Sequence, residues 1–304
     1  MSEAGSFDAD WLALRAPADA VARSSALTRR FAEAVAVGEQ RPARLLDLAA
    51  GTGANLRLLA PRLGAAGIAA QTWRLVDYDP DLLAACIDSC RTWAGGNGWS
   101  LHDDGAGFRI VADGWHACVR CVRRDLSRGV DTLPVQPGEA VVTTALLDLV
   151  SHDWMEGLVR LVDRTRGPVL ATLTDDGLLS FAPFDALDAT VAGLFEAHQR
   201  RDKGFGPALG TTATAVLAGL LGRAGWPVAV RHSAWVLGAE SRSLQSETIR
   251  GIATAAKEQD PSRTAEIEAW LARRVSQAEA GGLRLVVGHR DLFARPKPSG
   301  GPTP

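Results

Sequence analysis

Apolar residues recur with two different periods along this chain, and the changes of period mark the predicted elements. Residues 7–37 have helical spacing, residues 44–49 form a short apolar run that ends at a glycine pair, and residues 55–63 return to helical spacing. A short apolar run bounded by turn residues predicts a buried strand. Strands and helices then alternate as far as Leu173. This alternation predicts a largely parallel sheet with helices on both faces.

The rest of the pattern extends this prediction to the carboxyl end of the chain. Further strands are predicted at residues 73–77, 140–144, 168–173, 228–237 and 283–293, and two or more within 95–124, joined by a turn near Asp113-Gly114. Further helices are predicted after Asp79 and Asp153, at residues 184–200 and 211–224, and as a two-helix insertion within 241–281.

Composition and charge narrow the class of protein. The chain has 304 residues, of which 46% are hydrophobic and 22% charged, and its net charge is −2. This is ordinary globular composition, which excludes a disordered or fibrous protein. The balanced charge disfavours nucleic acid and anionic membranes as partners, and no apolar run has the roughly 18 residues of a membrane span. Acidic residues near the start disfavour a signal peptide, so we expect a soluble, cytosolic protein.

The four cysteines fall into two closely spaced pairs, Cys86 with Cys90 and Cys118 with Cys121. Two such pairs are compatible with a zinc site. The neighbours of the first pair, however, have the spacing of a buried helix face, and the second pair would point to opposite faces of a strand. Buried thiols are therefore the favoured interpretation, and no metal is predicted.

The most informative segment is LDLAAGTGAN at residues 46–55, where a buried strand leads through two glycines into a helix. Open α/β sheets bind nucleotides at such a turn, and glycine lets the backbone approach the ligand closely. Asp77 ends the next predicted strand, 24 residues after Gly53. A carboxylate at that position can accept hydrogen bonds from both hydroxyls of a ribose.

The glycine pattern also bears on the kind of nucleotide. A dinucleotide fingerprint needs a third glycine for close helix packing. Leu56 stands at that position, and no phosphate-loop motif is present. An adenosine ligand without a pyrophosphate therefore fits better than NAD. A dinucleotide site and a purely structural turn remain the alternatives.

Four segments in this order, LDLAAGTGAN, VDYDPDLL, RRDL and TTALLDLVSHDW, resemble the successive motifs of class I S-adenosylmethionine-dependent methyltransferases. The terminal VGHRDLFA resembles the last, antiparallel strand of that fold, and two further segments, WLALRAPADAVARS and HQRRDKGFGPALG, resemble a group of bacterial methyltransferase-like proteins. The resemblance implies a doubly wound, Rossmann-like mixed sheet of seven strands with an antiparallel last strand. We expect an N-terminal helical cap at 1–40, a methyltransferase domain at 41–294 with the insertion at 241–281, and a disordered tail at 295–304.

The resemblance implies S-adenosylmethionine as the cofactor. It would place Gly51 and Gly53 at the methionine end, Asp77 on the ribose, Tyr78 against the adenine, and Asp125 at the adenine amino group. The complete set of cofactor residues that it implies is Asp47, Ala49, Gly51, Thr52, Gly53, Asn55, Asp77, Tyr78, Asp125, Leu126, Ala145 and Leu146.

Candidates for the acceptor side come from the histidines and a basic, glycine-rich loop. His198 and His152 are the candidate general bases, because histidine titrates near neutral pH. Arg201, Lys203 and Phe205 are the candidate substrate residues. The alternatives are a core histidine for His198, an ordinary loop residue for His152, and a solvated helix end for the loop.

Three charged residues spaced by four in the first helix also have two interpretations. Arg15, Asp19 and Arg23 either form surface ion pairs or belong to a lid over the cofactor.

We therefore expect transfer of a methyl group to a small, anionic cytosolic molecule. The segment TTALLD lacks the Asn-Pro-Pro-Tyr or Asp-Pro-Pro-Tyr motif, which disfavours base amines of nucleic acids as acceptors. The alternatives are a regulatory or scaffold protein that binds S-adenosylmethionine without turnover and, less favoured, a nicotinamide-dependent dehydrogenase. The sequence predicts neither the acceptor atom nor an oligomeric state.

Overall fold

The computed structural model describes residues 8–37, 42–105 and 107–296. The segment 1–7, where the signal-peptide pattern was sought, lies outside the described residues. So do residues 38–41, where the predicted cap meets the predicted domain, and residues 297–304 of the predicted tail.

Within the described residues, strands and helices alternate along most of the chain. The strands are β1 (Ala43–Leu48), β2 (Ala70–Asp77), β3 (Ser100–Asp103), β4 (Phe108–Ala112), β5 (Trp115–Arg123), β6 (Ala140–Thr144), β7 (Val169–Ala182), β8 (Val228–His232), β9 (Trp235–Leu237) and β10 (Arg284–Ala294). The helices are α1 (Ala9–Ala22), α2 (Ser25–Val37), α3 (Ala54–Ala65), α4 (Pro80–Gly96), α5 (His152–Thr165), α6 (Asp188–Gln199), α7 (Ala213–Arg223), α8 (Arg242–Gln259) and α9 (Thr264–Glu279).

The strands form one mixed sheet in the order β3-β4-β5-β2-β1-β6-β7-β10-β8, with β9 paired to β10. The five strands from β5 to β7 run parallel, whereas β10 is antiparallel to both of its neighbours. The mixed α/β architecture and the antiparallel last strand are as predicted.

The predicted number of strands, seven, is wrong, because the described residues contain ten. Two of the additional strands, β3 and β4, form an antiparallel hairpin at the sheet edge. The third arises because the predicted strand at 228–237 is broken after His232, where the amide of Ser233 turns to donate to the carbonyl oxygen of His289 at 2.9 Å. The strand predicted at 168–173 continues to Ala182 as the long β7, which pairs with β10 over nearly its whole length.

The order of the parallel strands reverses between β1 and β6, because the chain builds outward from β1 through β2 to β5 and then crosses to β6 and β7. In open α/β sheets the crevice at such a switch point, beyond the carboxyl ends of the strands, is the usual ligand site. The glycine turn after β1 therefore lies where the topology favours binding.

Local sequence explains how the helices that border this crevice begin. Asp79 caps α4 by accepting hydrogen bonds from the amides of Asp81 and Leu82, with Pro80 as the first helical residue. Ser151 caps α5 through the amide of Trp154. Short polar side chains at these positions satisfy amides that have no partner within the helix.

Helices cover both faces of the sheet. One apolar cluster joins α2, α3 and α4 to β1, β2 and β5, and a second joins α5 and α7 to β6 and β7. A third cluster packs α8 and α9, the two helices before β10, against the far end of β7 and β10. None of the helices in the described part of the chain combines the length and the apolar composition that crossing a bilayer requires.

Candidate functional site

The turn between β1 and α3 folds tightly and leaves its backbone in unusual conformations. Ala49, Gly51 and Gly53 have φ angles of 53°, 52° and 78°, in the left-handed region. The amide of Gly53 donates to the carbonyl oxygen of Ala50 at 2.9 Å, and the amide of Ala50 donates to Val76 of β2 at 3.0 Å. A non-glycine residue such as Ala49 at positive φ is strained, and such strain clusters at functional sites.

Asp77, at the end of β2, holds this turn from the side. Its Oδ2 accepts a hydrogen bond of 2.8 Å from the amide of Gly51, and its Oδ1 accepts one of 3.1 Å from the amide of Asp79. Burial raises the pKa of Asp77, and the amides of Asp79, Gly51 and Tyr78 oppose this shift. Each carboxylate oxygen has a second lone pair, so Asp77 can still accept hydrogen bonds from a ligand.

A buried polar network lies beneath the turn. Asn55 donates to Oδ1 of Asp47 at 2.8 Å, and its own oxygen accepts from Arg23 at 2.7 Å and from Thr144 at 2.8 Å. Burial raises the pKa of Asp47 to about 7, although Asn55 and Arg23 lower it. Oδ2 of Asp47 is buried and has no hydrogen-bond partner among the described residues.

Arg15 and Asp19 of α1 and Arg23, directly after it, are all buried, so the interpretation as surface ion pairs is wrong. Arg15, Asp19 and Arg23 are only 7–8% exposed. Arg15 pairs with Asp19 at 2.9 Å, and Asp19 also accepts from the indole of Trp235. α1 packs over the sheet edge, so these residues face inward.

The two glycines of the turn have different neighbours. A Cβ atom on Gly51 would lie 3.1 Å from Cδ1 of Leu12 in α1, whereas one on Gly53 would lie 2.7 Å from the sulfur of Cys86 in α4. Gly51 therefore faces the crevice under α1, and Gly53 faces the core.

An open cleft of about 540 Å³ lies beside Asp77, beyond the end of β2. Its walls are Tyr78, Arg123, Arg124, Asp125 and Arg128. Pockets of this size accommodate small-molecule ligands. The side chain of Asp125 accepts from Ser127 and pairs with Arg128 at 3.1 Å. Hydrogen bonding to Ser127 is the main cause that lowers the pKa of this carboxyl.

Four other predicted cofactor residues lie near the same edge of the sheet. Ala145 directly follows β6 with a φ of 51°, and its amide donates to Thr172 of β7 at 3.0 Å. Leu146 and Leu126 are buried in the core on the α5 face, and the carbonyl oxygen of Leu126 accepts from the indole of Trp154 at 2.8 Å. Thr52, in the turn itself, is also buried, and its carbonyl oxygen accepts from Arg57.

The basic segment after α6 contacts α8 in the insertion. Nε2 of His198 lies 2.9 Å from Glu258, and Nδ1 lies 3.3 Å from the ammonium of Lys203. Arg201 donates to the carbonyl oxygen of Glu258 at 3.0 Å. Burial, and then the charge of Lys203, lowers the pKa of His198. These three side chains form a small network between α6 and α8.

The other two predicted acceptor residues lie near the start of α5. The ring of Phe205 packs edge-on against Trp154, with centroids 5.9 Å apart. The side chain of His152 is 52% exposed, and its Nδ1 lies 3.6 Å from Glu156 one turn further along the helix.

Sequence reasoning missed a group of three ionisable residues that the fold brings together, of which Asp148 and His289 are buried and Asp175 is half-buried. Asp148 follows β6, Asp175 lies in β7, and His289 in β10 is the cross-strand partner of Asp175. One signal could have found the carboxylates, because each follows a predicted strand of the parallel sheet by a few residues. The histidine gave no such signal.

The cysteines of α4 meet one residue of the second pair. The thiol of Cys86 hydrogen-bonds with those of Cys121 and Cys90, and these contacts hold its pKa above the ordinary value. Cys86 and Cys90 are fully buried. Among the described residues no group of three or more His, Cys, Asp or Glu side chains is arranged to hold a metal ion.

Comparison with known proteins gives likenesses in structure at low sequence identity. A cyclopropane synthase from Mycobacterium tuberculosis is 12% identical, with 95% of each chain covered and a TM-score of 0.48. A SAM-dependent methyltransferase from Geobacter sulfurreducens in complex with S-adenosyl-L-homocysteine is 16% identical, with 91% of this chain and 92% of that chain covered and a TM-score of 0.42. No protein-family model and no curated protein matches this chain. Any assignment of function therefore has to rest on the residues of this chain and their geometry.

Proposed function

We propose that this protein is an S-adenosylmethionine-dependent methyltransferase that acts on a small molecule. The observation that carries the proposal is the hydrogen bond between Gly51 and Asp77, which joins the glycine turn to a buried carboxylate at the switch point of the sheet. This arrangement, next to a cleft of about 540 Å³, suits an adenosine whose ribose reaches Asp77 and whose base lies beside Tyr78.

The polar groups at the other end of the crevice suit the amino-acid part of this cofactor. Gly51 presents backbone without a side chain under α1. Oδ2 of Asp47 is a buried oxygen to which none of the described residues donates a hydrogen bond, as expected of a site that receives an ammonium or sulfonium group. Asn55 donates to Asp47 and is itself held in place by hydrogen bonds from Arg23 and Thr144.

The same residues disfavour the nicotinamide-dependent alternative. Leu56 is fully buried where a dinucleotide fingerprint needs a glycine. Asp47 places a second acid near the start of α3, where a pyrophosphate would have to bind, and two like charges at one site repel each other. The turn therefore fits an uncharged ribose and a cationic sulfur better than a diphosphate.

The cofactor, when bound, supplies an activated methyl group on a sulfonium. The chain's own contribution is to bind and orient the two molecules and to exclude water. Holding both reactants in line can account for much of the acceleration in such a displacement. We propose that α1 covers the crevice, because Leu12 lies against Gly51 and Arg15, Asp19 and Arg23 are buried beneath it.

Calorimetry with S-adenosylhomocysteine and with NADH tests the proposal directly. We expect binding of the first ligand and none of the second. A protein that binds NADH instead would overturn the methyltransferase assignment. Incubation with methyl-labelled cofactor and fractionated small-molecule extracts then separates an enzyme from a regulatory protein, because only the enzyme produces a labelled product.

A further inference from the structure

Two acidic side chains interact between the turn after β6, which holds Asp148, and the middle of β7, which holds Asp175. We call Asp148 and Asp175 the acidic pair. Burial raises the pKa of Asp148, and burial followed by the charge of Asp148 raises the pKa of Asp175 to about 7. Asp175 therefore experiences the charge of Asp148, and the side chain of Asp148 in turn accepts a hydrogen bond from the backbone amide of Asp175.

Buried polar atoms without partners adjoin the acidic pair. Asp148 is 8% exposed and His289 is 7% exposed, and within the described residues Oδ1 of Asp148 and Nδ1 of His289 have no hydrogen-bond partner. His289 is paired across the strands with Asp175, so the two side chains lie on one face of the sheet. A buried polar atom without a partner is costly, so two at one place can be stabilised by a ligand that supplies hydrogen bonds to them.

The other charged groups around the pair are already neutralised. Arg15 pairs with Asp19 and stacks over the ring of Trp235 at 4.9 Å. Asp176, the other acid of β7, pairs with Arg290 at 3.1 Å.

Glu196 of α6, which also faces Asp175, pairs with Arg200 at 2.6 Å. In the described part of the chain no lysine or arginine forms an ion pair with either member of the acidic pair. The burial of His289 lowers the pKa of its imidazole to about 4, so it is neutral near pH 7. The acidic pair therefore has no ion-pair partner among the described residues, although the charge of Arg15 reaches Asp148 and lowers its pKa.

The acidic pair is adjacent to the proposed cofactor crevice. Asp148 follows Ala145 by three residues, and Thr144 before it bonds to Asn55 under the glycine turn. α1 spans both places, because Leu12 contacts Gly51 and Arg15, one turn later, faces Asp148 and His289.

From this geometry we infer that the acidic pair is the acceptor subsite and that it binds a cationic amine through Asp148 and Asp175. The inference rests on the proposed function and names its class of substrate. It differs from the anion predicted from Arg201 and Lys203, whose side chains contact Glu258 and His198 across the α6–α8 boundary.

The acidic pair also supplies the proton chemistry that such an acceptor needs. An ammonium group has no lone pair with which to attack, so it must lose one proton. The proton passes from the ammonium to the carboxylate of Asp175, which becomes a carboxylic acid, and a neutral amine is left. Burial disfavours both the ammonium and the carboxylate, so it brings the pKa of the bound amine and that of Asp175 closer together. Asp148 holds the remaining N–H groups.

Calorimetry with matched small molecules tests the inference. The probes are alkyl and benzyl amines, each with the alcohol and the carboxylic acid of the same carbon skeleton, measured with and without S-adenosylhomocysteine. We expect wild-type protein to bind amines in preference to both counterparts. Asp148→Asn and Asp175→Asn, which keep shape but remove charge, should weaken amine binding by roughly tenfold or more. Asp113→Asn, in the exposed turn between β4 and β5, is the matched control and should change nothing.

The outcomes separate the inference from the function on which it rests. S-adenosylhomocysteine should bind both Asn variants within about twofold of wild type, since the acidic pair is outside the cofactor residues. Preference for carboxylic acids, absence of amine binding to wild type, or equal amine binding by wild type and both variants would overturn the inference. Failure of wild type to bind S-adenosylhomocysteine would instead refute the proposed function, and the amine measurements without cofactor would still report on the acidic pair.

Discussion

The backbone amide of Gly51 donates a 2.8 Å hydrogen bond to Oδ2 of Asp77, so the turn after β1 and the end of β2 form one unit. Asp77 is 5% exposed, and its other oxygen accepts from Asp79. A single buried carboxylate therefore sets the shape of the turn and presents its remaining lone pairs to the crevice. Changes at Asp77 should affect both stability and binding, and the two effects can be measured separately.

Asp77→Asn is expected to lower the affinity for S-adenosylhomocysteine by roughly 10- to 100-fold. The substitution keeps the size of the side chain but replaces a charged acceptor with an amide, and hydrogen bonds to charged groups are worth about 1.5–3 kcal/mol. Calorimetry measures the loss, with Asp81→Asn in the exposed first turn of α4 as the control. An unchanged affinity in a variant whose melting temperature falls would mean that Asp77 only supports the turn.

Tyr78→Ala tests the base-binding side of the cleft without disturbing the core. The side chain of Tyr78 is 50% exposed and lies in the wall of the cleft. Loss of a ring that stacks on a base costs about 1–3 kcal/mol, so the affinity for S-adenosylhomocysteine should fall by about fivefold or more. The melting temperature without ligand should stay close to that of wild type. Equal affinity in the two proteins would place the base elsewhere.

Sequence alone predicted the glycine turn, because its determinants are local. The strand at 44–49, the glycines and Asp77 all lie within one β-α-β segment, and the structure has β1, α3 and β2 in that order. That positions 51 and 53 are glycine because of a ligand stays a prediction, but the structure gives Gly53 a second reason that the sequence did not show. Gly53 faces the sulfur of Cys86, a contact with a helix that begins 27 residues later.

The surroundings of the candidate acceptor residues could not be predicted in the same way, because their contacts are distant in sequence. His198 meets Glu258 across 60 residues, and this pairing depends on how the insertion folds back. The pairing of Asp175 with His289 requires the antiparallel register of β7 and β10. A periodicity argument assigns His198 to an apolar helix face but has no information about which distant element covers that face.

The folded protein should become less stable as the pH rises from about 4 to 7, in part because of Asp47. Burial raises the pKa of this carboxyl to about 7, against the favourable effects of Asn55 and Arg23, and the neighbouring Asp77 acts in the same direction as burial. A raised folded-state pKa means that the native state holds the proton over this range while the unfolded state releases it. The contribution of Asp47 to stability is therefore fully present below the pKa that this carboxyl has in the unfolded state. It is lost as the pH rises through the pKa that the carboxyl has in the folded state.

Urea unfolding of wild type and Asp47→Asn across this pH range measures the effect. The variant cannot titrate at this position. Over the whole pH interval its free energy of unfolding should therefore change by about 1–4 kcal/mol less than that of wild type. His289 acts in the opposite direction, because burial lowers its pKa to about 4 and its contribution is lost as the pH falls. Because His289 titrates in both proteins, the comparison uses the difference in the free energy of unfolding between wild type and Asp47→Asn at each pH. Parallel curves for wild type and variant would show that Asp47 is charged throughout in the folded state.

Gly53→Ala is expected to destabilise the protein through the core. Gly53 has a φ of 78°, and an added Cβ would lie 2.7 Å from the sulfur of Cys86. The left-handed conformation alone costs a non-glycine residue about 1–2 kcal/mol, and the contact with sulfur adds to that cost. Gly95→Ala, at an open position near the end of α4, should not destabilise.

A double-mutant cycle with Cys86→Ala separates the two contributions. Removing the sulfur should restore the part of the lost free energy of unfolding that comes from the contact with Cys86, and leave the part that comes from the φ angle of residue 53. The effects of the two substitutions on the free energy of unfolding should therefore not add. The double variant should bind S-adenosylhomocysteine within about threefold of Cys86→Ala, because the new methyl group faces α4 and not the crevice. Strict additivity of the two free energies of unfolding would mean that Cys86 moves aside at little cost. Loss of binding in a double variant that stays folded would instead mean that a ligand occupies the space beside Gly53.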